Sequence, residues 1–196
     1  MTDIFFETIK VIDGEIFHID YHQKRYESVL NTLGVREFKN LQDYIKPPKY
    51  GFYRCRLVYT KSSIEFEYIK YTKRDIKKLK LVYDNDINYS KKSTCRDDLD
   101  RLFEQKEEAD DILIVKDSLI TDTSIANIAL FDGEFWYTPK NPLLNGTTRQ
   151  RFLDEKKLIE KDINEKDIYL YKKVALLNAM IDFDIIASKD IKDVIC

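Results

Sequence analysis

The sequence is poor in the residues on which metal, disulfide and low-complexity proteins depend. Its 196 residues include two histidines, three cysteines, five glycines, four prolines and one tryptophan. Cys55, Cys95 and Cys196 are odd in number, far apart and without CxxC spacing, which argues against a disulfide framework or a zinc site. His18 and His22 stand four apart with no HExxH around them, so no metal is expected. So few glycines and prolines exclude collagen-like and low-complexity chains. No run approaches eighteen apolar residues, which excludes a membrane-spanning helix. The start MTDIFFETIK has no basic stretch ahead of an apolar one, so a secretory signal is not expected and a cytoplasmic location is. An excess of one charge is missing too: 33 Lys plus Arg face 35 Asp plus Glu, a net charge of −2. The densest basic patch, from Lys73 to Lys78, is interrupted by Asp75. A polyanion needs a clustered basic excess, so nucleic acid is not the expected partner.

What remains is a chain rich in core material. Hydrophobic residues make up 43% of it, with 13 tyrosines and 11 phenylalanines, far too many for a disordered segment. The length suits one sizeable domain or two small ones.

Along the chain, Phe5–Ile12 and Glu15–Ile19 read as two strands around an Asp13-Gly14 turn, a dipeptide that tolerates positive φ. Asp20 is positioned to cap a helix from Tyr21 to Leu33, ended by Gly34. A short helix near Leu41–Ile45 stops before Pro47-Pro48. Strands are predicted at Phe52–Thr60, Ile64–Tyr71 and Leu79–Tyr83, and a helix at Asp97–Glu108. Further strands follow at Ile112–Val115, Asn127–Phe131, Glu134–Tyr137, Val174–Leu177 and Phe183–Ala187, with a helix from Thr147 or Thr148 to Lys157. Asp132-Gly133 marks a second hairpin. Helices and strands mix without strict alternation, so the fold class is α+β or mixed α/β rather than doubly wound.

Several catalytic signatures are absent. There is no GxGxxG, no GxxxxGK[ST] and no GxSxG. Catalysis must therefore rest on Lys, Arg, Asp, Glu, Tyr or a cofactor. Three stretches of the second half stand out. The first is Tyr89-Ser90-Lys91-Lys92-Ser93-Thr94-Cys95-Arg96. The second is Ala109-Asp110-Asp111-Ile112-Leu113, followed by Thr121-Asp122-Thr123-Ser124-Ile125-Ala126-Asn127. The third is Thr138-Pro139, then Leu143-Leu144-Asn145-Gly146-Thr147-Thr148-Arg149.

Together with Phe6-Glu7-Thr8-Ile9 and His22-x-x-Arg25, these stretches resemble the class IV, fold-type IV pyridoxal-phosphate enzymes. That family includes branched-chain and D-amino-acid aminotransferases and aminodeoxychorismate lyase. The resemblance covers most of the chain. It implies a two-part fold: an N-terminal α/β domain over residues 1–84, a linker at 85–92 carrying the Schiff-base lysine, and a β-rich cofactor domain over 93–196. It also implies a homodimer. Such a lysine must be reachable and near other cations. Spacing alone leaves Lys91 and Lys92 level, and the resemblance favours Lys92, four residues before Arg96.

The other site residues follow from the same resemblance. Arg25 is expected at the cofactor phosphate, with Thr147, Thr148 and the backbone amides of Ser124 and Ile125. Asp122 stands where the family carries Glu and would keep the pyridine nitrogen protonated, one methylene shorter. Arg54 and Arg56, two apart on one strand, share a face and are candidates for a substrate carboxylate. Asn178-Ala179 sits in Leu176-Leu177-Asn178-Ala179-Met180, close to a stretch of the lyases and unlike the Thr-Ala stretch of the transaminases. The reading that results is a 4-amino-4-deoxychorismate lyase first and an amino-acid aminotransferase second. The chain is shorter than familiar members of the family, which leaves a trimmed, non-catalytic binding module as a third reading.

Overall fold

The computed structural model describes residues 3–186 and 190–196. Its contacts gather the chain into two units: Met1–Lys73 with Lys91–Cys95, and Arg74–Ser90 with Arg96–Cys196.

The first unit is a four-stranded antiparallel sheet with one long helix. Its strands, in the order β2-β1-β3-β4, are β1 (Phe5–Ile12), β2 (Glu15–Ile16), β3 (Phe52–Tyr59) and β4 (Ile64–Lys70). Asp13 and Gly14 both take positive φ, as the expected tight turn demands. Period-2 alternation turns Phe5, Ile9 and Val11 of β1 and Cys55, Leu57 and Tyr59 of β3 onto one face, where they form a core with Tyr26, Val29 and Leu30 of helix α1 (Ile19–Thr32). Phe6, Thr8 and Lys10 of β1, and Arg54 and Arg56 of β3, share the opposite face. Helix α2 (Leu41–Tyr44) completes the unit.

The second unit carries an eight-stranded mixed sheet. Its path runs β10 (Ile159–Lys161), β9 (Trp136–Pro139), β8 (Asn127–Phe131), β7 (Leu119–Thr123), β6 (Asp111–Lys116), β5 (Leu79–Tyr83). From β8 it also continues to β11 (Lys173–Asn178) and β12 (Asp182–Ile185). Helices α3 (Asp97–Phe103) and α4 (Thr147–Asp154) belong to this unit. The mixed α/β class is as expected.

Several expectations change in detail. Asp20 does not cap α1: the helix begins two residues earlier, at Ile19, with His18 in the left-handed region at the cap position and no side-chain cap bond. Residues 119–123 form a strand that was not among those expected; its β-branched Ile120, Thr121 and Thr123 outweigh the acid. Strand β9 starts at Trp136, because the amides of Glu134 and Phe135 donate to Asp132 and extend the turn. Strand β10, short and exposed along its whole length, had no apolar pattern to announce it. Helix α3 ends at Phe103, followed by a 3-10 turn, and α4 ends at Asp154. The predicted strand end Ala187 lies outside the described residues.

The division between units also falls elsewhere than at residue 84. Strand β5 pairs in parallel with β6 and so belongs to the second unit. Residues 91–95 return to the first, where Phe6 N–H donates to the Lys92 carbonyl at 2.9 Å and Ser93 bridges Phe5.

Candidate functional site

In the first unit the site is built around Glu7. Its place on the apolar face of β1 removes it completely from water, so it must find cations or donors. Arg25, one face of α1 along, meets it side-on: Nε donates to one carboxylate oxygen at 2.8 Å and Nη2 to the other at 2.5 Å. His22, one turn earlier, shares a hydrogen bond of 2.6 Å with the same carboxylate. Burial alone would raise the Glu7 pKa, but the Arg25 charge and the His22 and Arg25 hydrogen bonds bring it down to about 2. Burial, reinforced by the charges of Arg25 and Lys92, lowers the His22 pKa despite Glu7. Glu7 is thus anionic at neutral pH and holds the guanidinium of Arg25 in one orientation.

The outer face of the same sheet is cationic. Lys92 Nζ lies 4.7 Å from the centre of the Phe6 ring, and the Arg56 guanidinium carbon lies 5.2 Å from that same ring. Lys91 instead reaches the Phe5 ring at 5.9 Å. Phe5 faces the core and Phe6 the cationic side, so the two adjacent lysines attend to different faces of β1. Arg56 also approaches Glu67 of β4 at 3.6 Å.

The second unit gathers the other candidates around Asp122 and the turn that follows it. Asp122 is 4% exposed, and its partners are neutral: Asn127 Nδ2 donates to one oxygen at 2.7 Å and the Leu144 amide to the other at 2.9 Å. Burial raises its pKa to about 6, against the opposing pull of the Leu144 amide, Asn127 and the more distant Arg149. Asn127 also donates to the Leu144 carbonyl at 2.8 Å, so one amide ties strand β8 to the segment before α4. A β-carbon on Gly146 would collide with Asn127 Oδ1, which explains the glycine there. Gly146, rather than Thr147 or Thr148, is the N-cap of α4. A glycine cap supplies no side-chain acceptor, so the buried Thr147 and Thr148 open a helix whose first turn lacks a side-chain cap.

The turn from Thr123 to Ala126 is pinned from several sides. Arg96 Nη2 donates to the Ser124 carbonyl at 2.9 Å, and the Ser124 amide points to the buried Asp111 carboxylate at 3.4 Å. The Ile125 and Ala126 amides donate to Thr123 Oγ1 at 3.3 and 3.0 Å. The Ser124 amide therefore makes a long bond to β6, and the Ile125 amide a long bond inside the turn. Asn178 accepts from the amides of Met180 and Ile181 at 2.9 and 3.1 Å, shaping the turn after β11, and approaches the Ile125 carbonyl at 3.4 Å. Ala179 is half-buried in that turn.

Glu7, Asp111 and Arg96 were not picked out as site residues from the sequence. For Glu7 a signal existed: an acid between Phe5 and Ile9, at a position that alternation turns inward. Among the described residues no cluster of three potential metal ligands occurs, and no helix is long and apolar enough to cross a membrane.

Residues 4–188 match the family described as amino-transferase class IV. A Haemophilus influenzae protein of uncharacterized function is 35% identical over 182 residues, 89% of this chain and 96% of that protein. The crystal structure of a candidate 4-amino-4-deoxychorismate lyase from Haemophilus somnus 129PT superimposes with a TM-score of 0.86 at 33% identity, covering 92% of this chain and 97% of that one. The structure described as a hypothetical aminotransferase from Mycobacterium tuberculosis, in its pyridoxal-phosphate-bound form, gives a TM-score of 0.80 at 15% identity, over 94% and 80% of the two chains. The short length is thus shared with both Haemophilus proteins.

Proposed function

The chain belongs to the class IV aminotransferase family of pyridoxal-phosphate enzymes, and from that premise we propose that it is a 4-amino-4-deoxychorismate lyase, releasing pyruvate and 4-aminobenzoate. The observation that carries lyase over aminotransferase is the 33% identity, along nearly the whole of both chains, with the Haemophilus somnus protein. The aminotransferase likeness at 15% identity speaks for the fold alone.

The residues present fit the cofactor. A buried carboxyl whose hydrogen-bond partners are all neutral, as Asp122 is, suits a protonated ring nitrogen, and a guanidinium braced on one edge, as Arg25 is, suits a phosphate. Pyridoxal phosphate, when bound, supplies an electron sink for the bond that breaks next to the substrate nitrogen.

The chain's own residues do the rest. Lys92 Nζ would hold the cofactor covalently and, as a free amine, would accept the proton leaving ring C4 of the substrate. Asp122 holds the ring nitrogen's proton in place. Arg25, Thr147 and Thr148 bind the phosphate, joined by the Ser124 and Ile125 amides, whose long bonds to Asp111 and Thr123 are weak enough to exchange. Arg56 and Arg54 orient the substrate through its carboxylates, and Asn178-Ala179 borders the substrate. The proposal includes a cytoplasmic homodimer, a state that sedimentation tests.

The deciding assay supplies 4-amino-4-deoxychorismate to the protein loaded with pyridoxal phosphate. The expected products are 4-aminobenzoate and pyruvate in equal amounts. Amino transfer to a 2-oxo acid without 4-aminobenzoate overturns the lyase in favour of the aminotransferase.

A further inference from the structure

On the outer face of the first unit's sheet, Lys10 of β1 stands directly opposite Arg54 of β3. Directly paired residues of an antiparallel ladder share a face, and like charges so placed repel. Neither charge is neutralised. Lys10 lies over the Phe17 ring at 5.4 Å and makes no ion pair with any described residue. The Arg54 side chain makes no hydrogen bond or ion pair among the described residues, and its Nε is buried without an acceptor. Its other ladder neighbour, Ile69 of β4, is apolar, and the nearest acid of that strand, Glu67, is turned to Arg56. Both cations are half-buried, where water relieves them only in part.

We propose that Lys10 is a specificity-determining residue: with Arg54 it seats one of the two carboxylates of the proposed substrate, while the other rests on Arg56. The inference rests on the reading that this sheet face receives the substrate. An anion placed between the two cations accepts the Arg54 Nε hydrogen and cancels the cross-strand repulsion.

The test is titration calorimetry on the protein loaded with pyridoxal phosphate, using benzene-1,3-dicarboxylate against benzoate as probes. The wild type is expected to prefer the dicarboxylate by about tenfold, a preference that K10Q and R54Q abolish and K10R keeps. Thermal unfolding of K10Q separates a binding role from a structural one: removing one of two repelling charges leaves its Tm unchanged or higher. A dicarboxylate preference that survives in both glutamine variants, or its absence from the wild type, overturns the seat. A wild type that takes up no cofactor overturns the functional reading instead; the same titration on that protein still decides whether the pair selects two carboxylates.

Discussion

Glu7 and Asp122 are both shut away from water, one in each unit, yet their surroundings drive them in opposite directions. Glu7 meets a guanidinium and an imidazole and is held down at about 2. Asp122 meets only amides and rises to about 6. Burial by itself favours the neutral acid in both places; a cation at hydrogen-bond distance reverses it in one. The difference separates two roles. The charge of Glu7 is complete within the fold and orients Arg25. On the proposed function, the cationic partner of Asp122 would be the protonated pyridine nitrogen of the cofactor.

The largest effect that could break this contrast is at Glu7. Glu7→Gln leaves Arg25 facing a neutral amide, and the expected loss is about 3 kcal/mol of stability in urea unfolding. Weaker uptake of pyridoxal phosphate should accompany it, read by absorbance. A variant as stable as the wild type would contradict the role given to Glu7.

The pH dependence comes next. With its pKa lowered from 4.5 to about 2, Glu7 contributes stability that is complete above 4.5 and lost as the pH falls towards 2, about 3 kcal/mol in all. His22, also lowered, adds a loss that sets in below 6.5, because the unfolded chain takes the proton first. Asp122 runs the other way. Its pKa is raised from 3.8 to about 6, so its contribution is complete below 3.8 and lost as the pH rises to 6. Asp122→Asn removes that loss alone. The stability of the wild type relative to this variant should therefore fall by roughly 3 kcal/mol between pH 3.8 and 6. A difference independent of pH would show that Asp122 does not titrate in that range.

Two smaller changes sharpen the second unit's side. Gly146→Ala pushes a methyl group into Asn127, the residue that holds both Asp122 and Leu144, and should cost about 2 kcal/mol with a loss of cofactor affinity. Asn178→Ala removes the acceptor of the turn after β11 and should cost about 1 kcal/mol. A rise in KM beyond that of other turn variants would support its place beside the substrate.

Much of this was legible in the sequence where the signal is local. The strands at Leu79–Tyr83 and Asn127–Phe131 announce themselves by β-branched and apolar residues, and Asp13-Gly14 and Asp132-Gly133 by the conformations their turns need. Strand β7 was hidden because Asp122 interrupts its pattern; that acid is tolerated because Asn127, five residues on, and the Leu144 amide supply donors. The return of residues 91–95 to the first unit depends on pairing with Phe5 and Phe6, some 90 positions away, which no local pattern records. The role of Glu7 needed the helix in place to show that His22 and Arg25, one turn apart, both face it.

The account stands most directly on the covalent position of the cofactor. The protein is incubated with pyridoxal phosphate, reduced with borohydride, digested, and its peptides weighed. A pyridoxyl group on Lys92 is the predicted result. No label, or a label on Lys91 instead, would contradict it.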